Sequence, residues 1–240
     1  LLDLDNYLER TESQDFVNLR KKVENNSLIH GIQLGILTGR SIKAARYRYS
    51  KLHLNGPAVW ICQAGTEIYY ADQEKSDIFW QDSITVDWNR QGVEQSLFDL
   101  KDYLELQSIE NQGPFKVSYL LKEPGDAILP LVRKRLRQSG FAASPYLKCH
   151  WYLDVVPLRA SRGEAIRFLS LRWGLSLEDI IIVASQQGDD ELMRGLTNSV
   201  VPFEHDSSLD GFKSKQRVFF STIDQSDVVE GMKYFRFLKN

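Results

Sequence analysis

Apolar positions recur at two spacings along the 240 residues, and the change from one to the other divides the chain. Ile32 to Leu37, Ala58 to Cys62 and Asp179 to Ala184 are short runs of the length and composition of buried strands. Phe16, Leu19 and Val23, and then the stretches from Ser41 to about Leu52 and from Arg162 to Trp173, carry apolar residues at helical spacing. Ser41 stands where a helix cap belongs. Strand followed by helix, repeated, predicts a mostly parallel sheet covered by helices. Gly65 turns the chain from the strand ending at Cys62 into Thr66 to Tyr70, and two short strands around Val200 and Val218 to Phe220 precede a last helix near Ser226 to Phe237.

The middle has another rhythm. From about Ser83 to Leu147 there is a polar entry, a helical stretch near Val93 to Leu106, an alternating strand from Phe115 to Leu121 and a helix from Ala127 to Gln138 that Gly140 stops. Turn residues gather at Asn111 to Pro114 and at Glu123 to Gly125. We read 83–147 as a small inserted α+β cap and 1–82 with 148–240 as one discontinuous core, to which the strand from Trp151 to Val156 is assigned. In such a fold ligands are expected at the carboxyl ends of the parallel strands.

Composition adds mainly exclusions. With 42% hydrophobic and 26% charged residues, and 30 basic against 32 acidic side chains for a net charge of −2, the chain reads as an ordinary globular protein. It offers no membrane span and no field to gather nucleic acid. The basic run Arg133-Lys134-Arg135 with Arg137 is interleaved with Leu131, Val132 and Leu136, the pattern of a solvated amphipathic helix face. Cys62 and Cys149 are too few for a disulfide framework and lack metal-ligand spacing, as do His30, His53, His150 and His205; reduced thiols point to a cytoplasmic location. The chain opens on Leu1-Leu2-Asp3 without Met or a signal segment, as a portion of a longer chain would.

Four segments fall at the expected strand ends: Asp3-Leu4-Asp5-Asn6, Thr38-Gly39-Arg40-Ser41, Ser161-Arg162-Gly163 and Gln186-Gln187-Gly188-Asp189-Asp190. In this order they resemble the haloacid dehalogenase superfamily of phosphatases and, within it, the sucrose-phosphate phosphatase branch. Leu37 to Ser41, Gly65 to Ile68, Lys116 to Tyr119 and Leu153 to Gly163 extend the likeness over nearly the whole chain. The resemblance implies an α/β fold, a haloacid dehalogenase-like Rossmannoid parallel-sheet core with an inserted cap. It makes Asp3 the nucleophile position and Asp5 the acid and base. Thr38, Gly39, Arg40 and Arg162 become phosphate-binding positions, Ser41, Thr66 and Glu67 sugar-binding ones, and Asp3, Asp5 and Asp190 the Mg²⁺ set. The chemistry is coherent, since phosphoryl transfer leaves charge on equatorial oxygens that fixed donors and cations must meet.

The sequence departs from that pattern at three places. Tyr7 stands where a small Thr is usual, and Arg162 replaces a lysine, exchanging a compact ammonium for a planar fork. Gln186 takes the place of a metal-binding aspartate, so Mg²⁺ binding is expected to be weakened. An eroded site of this kind is similar to the phosphatase-like domain of sucrose-phosphate synthases, which the run Leu158 to Arg162 and Arg172 to Leu175 also resembles. The implied partners are sucrose 6-phosphate or sucrose, and either the glycosyltransferase part of a parent chain or a separate sucrose-phosphate phosphatase, with neither nucleic acid nor membrane. Three functions follow from the resemblance: a sugar-phosphate recognition or docking domain with a degenerate site, an active Mg²⁺-dependent sucrose-6-phosphate phosphatase, or a pure interaction scaffold.

Overall fold

The structure, a computed structural model, describes residues 1–5, 19, 21–23, 25, 31–51, 56–222 and 227–238. β1 (Leu2–Asp3), β2 (Gly35–Leu37), β3 (Val59–Cys62) and β4 (Glu67–Tyr70) lie side by side in that order. The first three are parallel, and β4 runs antiparallel to β3. A second, wholly antiparallel sheet contains β5 (Leu104–Leu106), β6 (Val117–Leu121), β7 (Ala143–Lys148) and β8 (Tyr152–Pro157) in the order β5-β6-β8-β7. The chain then returns to β9 (Ile181–Val183), β10 (Asn198–Val201) and β11 (Val218–Phe220), all parallel. The Leu1 nitrogen donates to the Ile181 carbonyl at 2.6 Å and the Leu1 carbonyl accepts from the Val183 amide at 3.1 Å, which lays β9 beside β1.

Successive strand residues face opposite sides, so each buried run feeds two layers. Trp60 and Cys62 join Leu2, Ile36, Ile181 and Val183 on one face. Val59 and Ile61 join Ile68, Ile182, Ile166 and Leu169 on the other. The helices that cover these faces include α1 (Ile42–Ser50), capped as expected by the Ser41 hydroxyl, which accepts from the Ala44 amide at 3.4 Å. Next come α2 (Ile78–Ile84), which leads out of the core, and α3 (Arg90–Leu97) and α4 (Leu129–Gln138), which pack on the antiparallel sheet through Val93, Leu97, Val132 and Leu136. α5 (Arg162–Trp173), the one-turn α6 (Asp190–Met193) and α7 (Asp227–Tyr234) complete the core. No helix among the described residues is long and apolar enough to cross a membrane.

The turn after β3 fixes the start of α5. Gly65 has φ +93°, and a Cβ there would lie 2.4 Å from the Arg162 backbone nitrogen, so only glycine lets the two segments touch. The Trp80 indole donates to the Gly65 carbonyl at 3.0 Å and locks the turn. Trp80 is thus packed in the core against Phe168.

Three expectations about elements need correction. The helical stretch from Val93 to Leu106 is two elements: the Asn89 side chain caps α3 through the Gly92 amide at 2.9 Å, the helix ends at Leu97, and Leu104–Leu106 pairs with β6. β7 was not anticipated; it lies at a sheet edge, where the missing N–H of Pro145 is tolerated. The strand from Trp151 to Val156, assigned to the core, is β8, and it pairs with β6 and β7 in the antiparallel sheet. A tight turn brings it there, with Cys149 at φ 53° and His150 at φ 60°, both in the left-handed region that hairpin turns require. Phe16, Leu52 and Ser226 lie outside the described residues, as do His30 and His53.

Candidate functional site

The four segments singled out in the sequence meet at the carboxyl ends of β1, β2 and β9 and at the start of α5. Asp3, 1% exposed, ends β1, and its Oδ1 accepts from the Asp5 amide at 2.8 Å. Asp5 is the more heavily ligated of the two. Its carboxylate accepts from the Thr38 hydroxyl at 2.9 Å, the Gly39 amide at 2.9 Å and the Arg40 Nε at 2.6 Å. The donors expected to hold a phosphoryl oxygen therefore hold Asp5. Burial alone would raise the Asp5 pKa, but Lys148, the Gly39 amide, Arg40 and Thr38 outweigh it and hold it down at about 2. Burial dominates at Asp3 instead and, against the pull of Lys148, pushes it up to about 6.

Arg162 organises the other side. Capped into α5 by Ser161, its buried fork reaches two groups on the loop after β9 and one in α6: Nη1 to Asp189 Oδ1 at 2.8 Å, Nη2 to the Gly188 carbonyl at 2.7 Å and Nε to Glu191 at 3.1 Å. Asp3 Oδ2 lies 3.6 Å from Nη1. Asp189 is wholly buried, and its second oxygen accepts the Ser185 and Gln186 amides at 2.9 and 3.0 Å. Asp190, the expected metal ligand, instead opens α6 and pairs with Arg194 at 2.5 Å near the surface. The reason is positional: Asp189 precedes the helix and turns into the loop it closes, while Asp190 is the first helical residue and faces one turn on, toward Arg194. Sequence reasoning set Asp189 aside, and the signal that identifies it is Arg162, a buried cation in need of an anion.

The tip of the β7–β8 hairpin closes over this cluster. Lys148 Nζ lies 3.4 Å from Asp5 Oδ2 and 3.7 Å from Asp3 Oδ2. The Cys149 thiol donates to Gln186 Oε1 at 2.6 Å, the His150 amide to Gln187 Oε1 at 2.6 Å, and the Tyr146 hydroxyl to the Gly188 carbonyl. Gly188 has φ +90°, and a Cβ there would come within 2.8 Å of the Leu147 carbonyl, so glycine is what lets hairpin and loop touch. On the far side Lys116 Nζ donates to the Gly39 carbonyl at 2.9 Å and lies 3.6 Å from Asp154. Lys148 belongs to no motif; an unassigned β7 hid it.

The remaining expected positions are less exposed to the site than the resemblance implies. The Ser41 hydroxyl accepts from the Ala44 amide as a helix cap and keeps its own O–H. Thr66 is 0% exposed, and its hydroxyl donates to the Gln63 carbonyl at 2.9 Å, so it presents no group to a sugar. Glu67 is buried and accepts from the Tyr69 hydroxyl at 2.8 Å; burial raises its pKa, with Tyr69 and Lys116 opposing. Tyr7 lies outside the described residues. Mg²⁺ demands hard oxygen ligands in near-octahedral array. The set implied for it is not assembled: Asp190 is on Arg194, the Gln186 oxygen is on Cys149, and Asp3 and Asp5 face Lys148. Among the described residues no group of three or more His, Cys, Asp or Glu side chains is arranged to hold a metal ion.

The family model described as sucrose-6F-phosphate phosphohydrolase matches residues 1–236. The chain belongs to that family. Curated relatives include sucrose-phosphate synthase of Zea mays, 30% identical over a 168-residue alignment that covers 59% of this chain and 15% of the relative. The probable sucrose-phosphate synthase 1 of Craterostigma plantagineum is 22% identical over a 199-residue alignment that covers 70% of this chain and 18% of the relative. The family member described here thus spans under a fifth of the length of the synthases it matches. Among solved structures, the sucrose-phosphatase of Synechocystis sp. PCC6803, in complex with sucrose and phosphate, superposes with a TM-score of 0.85 at 23% identity, covering 99% of this chain and 97% of that one. A haloacid dehalogenase-like hydrolase of Bacillus subtilis gives 0.69 at 16% identity, covering 99% and 91%. The fold is that of the haloacid dehalogenase superfamily.

Proposed function

We propose that this chain is a sugar-phosphate domain of sucrose biosynthesis that recognises sucrose 6-phosphate, as part of or beside a sucrose-phosphate synthase, with its hydrolytic chemistry largely lost. One observation carries the reading. The loop after β9 supplies no carboxylate to the Asp3–Asp5 pair for a metal, because Gln186 replaces one acid, Asp190 turns away to Arg194 and Asp189 is consumed by Arg162 and two amides. A phosphoryl-transfer site needs fixed cationic and hydrogen-bonding groups around the transferring oxygens together with an in-line nucleophile. Here Asp3 remains at the nucleophile position, but the hydroxyl, amide and guanidinium that would hold phosphate are engaged by Asp5. A sugar phosphate binds by displacing the Asp5 carboxylate from Thr38, Gly39 and Arg40, one anion for another.

The sheets also support a revised division of the chain: a core of about 1–82 with 158–240, and a cap that includes β7 and β8. The two free cysteines, one of them buried, support a cytoplasmic setting. Calorimetry with sucrose 6-phosphate, with and without Mg²⁺, followed by phosphate-release measurement on the same sample, tests the function. Binding without release is expected. Release that Asp3→Asn abolishes establishes an active phosphatase instead. Absence of binding establishes the scaffold reading, which the engagement of all three phosphate donors by Asp5 favours.

A further inference from the structure

We propose that Lys148, carried by the cap hairpin, is the cation of this site and stands in place of a divalent metal between Asp3 and Asp5. The ammonium lies against both carboxylates, at 3.7 and 3.4 Å. Its side chain is 14% exposed, so it is held there with little water to screen it. Lys148 is not a loose surface lysine that a metal would push aside. It is the last residue of β7; Tyr146 of the same strand anchors to Gly188, and Cys149 and His150 of the turn that follows anchor to Gln186 and Gln187.

An ammonium offers three donors and no lone pair, so it neutralises the carboxylates without bridging them to a metal, and the oxygens it faces, Asp3 Oδ2 and Asp5 Oδ2, are closed to a cation while it stays. Metal entry requires the hairpin to lift off the loop after β9, and the two non-glycine residues at the hairpin tip, Cys149 and His150, hold their left-handed conformations against that docked surface. The cap is thereby latched by charge: the same ammonium that balances Asp3 and Asp5 ties the antiparallel sheet to the core. This inference concerns the metal alone and does not depend on sugar-phosphate recognition.

The experiment separates Lys148 from the altered Gln186, either of which weakens a metal site. Mn²⁺ titration followed by electron paramagnetic resonance is carried out on the unaltered chain, on Gln186→Asp, and on Gln186→Asp combined with Lys148→Ser or Lys148→Arg. Restoring the acid alone is expected to leave Mn²⁺ binding weak. Removing the lysine as well tightens it by at least roughly tenfold, the scale on which groups around a metal act, while the Lys148→Arg combination stays weak. Gln186→Asp binding Mn²⁺ as tightly as the Lys148→Ser combination overturns the proposal. So does tight binding by the unaltered chain that Asp3→Asn abolishes. Where the Lys148→Ser combination does not fold, Lys148→Gln preserves the length of the side chain without its charge and is held to the same outcomes.

Discussion

The loop after β2 and the loop after β9 close the same end of the sheet by different means. Residues 38–41 present donors at successive positions: the Thr38 hydroxyl, the Gly39 amide and the Arg40 guanidinium all turn to one carboxylate, Asp5. Residues 185–190 turn acceptors to the site, and besides the Ser185 and Gln186 amides that hold Asp189 within the loop, what arranges them is remote: Arg162 from α5 and the hairpin tip of β7–β8. A loop built from its own consecutive donors keeps its geometry when its ligand changes. A loop whose acceptors are aimed in part by distant groups is reshaped when those groups change; here a buried guanidinium holds Asp189, and the hairpin that carries Lys148 holds Gln186 and Gln187.

The largest effect expected from this difference is that of Arg162→Ala. It leaves Asp189 and Glu191 without their buried partner, and removing one member of a buried ion pair costs about 3–5 kcal/mol. Urea unfolding measures it, and a loss below about 1 kcal/mol would mean that the loop after β9 holds itself. The matching change across the site, Arg40→Ala, removes a guanidinium that is one-third exposed and leaves Asp5 its hydroxyl, amide and Lys148, so a distinctly smaller loss is expected.

Much of this was legible in the sequence, and the division follows the same physics. Thr38 to Ser41 could be placed because contiguous residues on a strand-to-helix turn have little choice of direction. Likewise the buried runs around Ile36, Ile61 and Ile182 announced a sheet covered on both faces. Asp189 and Asp190 could not be told apart, because adjacent residues at a helix start point to different surroundings and only the position of Arg162 decides between them. Lys148 was hidden for a second reason. Pro145 disguised an edge strand, and Cys149-His150 is an unusual pair for a hairpin turn that glycine and asparagine normally fill.

Asp189→Ala sharpens the comparison next. It removes the acceptor for the Ser185 and Gln186 amides and the main partner of Arg162. A buried donor left unsatisfied costs about 1–3 kcal/mol, and the unfolding midpoint should fall accordingly, with the hairpin tip losing amide exchange protection at the same time. Unchanged protection at His150 would mean that the hairpin does not depend on the loop's shape.

The acid pair contributes in opposite directions with pH. Asp3, at about 6 against an ordinary 3.8, binds its proton more tightly when folded, so its contribution to stability is present below about pH 4 and is lost as pH rises through 6. Asp5, held at about 2, contributes above about pH 4 and loses that contribution as pH falls toward 2. One proton gives a slope of at most about 1.4 kcal/mol per pH unit. Asp3→Asn is expected to remove the decline between pH 4 and 6 and to leave the acid limb below pH 4 in place. Loss of the acid limb instead would reassign the two carboxylates.

Asp5→Ala empties the donors of the loop after β2. If phosphate and Asp5 compete for these donors, as proposed, inorganic phosphate should then bind at least roughly tenfold more tightly, since hydrogen bonds to a charged group are worth about 1.5–3 kcal/mol each and two or three become available. Calorimetry reads the change directly. Equal affinity in both proteins would show that Thr38, Gly39 and Arg40 do not form an anion site once Asp5 is gone.

The smallest effect is the most discriminating. Asp190→Ala removes a carboxylate that the family pattern places in a metal site, whereas here it forms a surface pair with Arg194, whose side chain is 69% exposed. Exposed pairs at this helical spacing contribute about 0.3–0.5 kcal/mol, so stability should barely move, and neither Mn²⁺ affinity nor the protection of the hairpin should change. A larger loss, or a loss of metal binding, would put Asp190 back inside the site and require the loop after β9 to turn over. Because Asp189 and Asp190 are adjacent, their two alanine variants differ little in composition. The gap between their effects measures how far Arg162 alone has selected which acid faces inward.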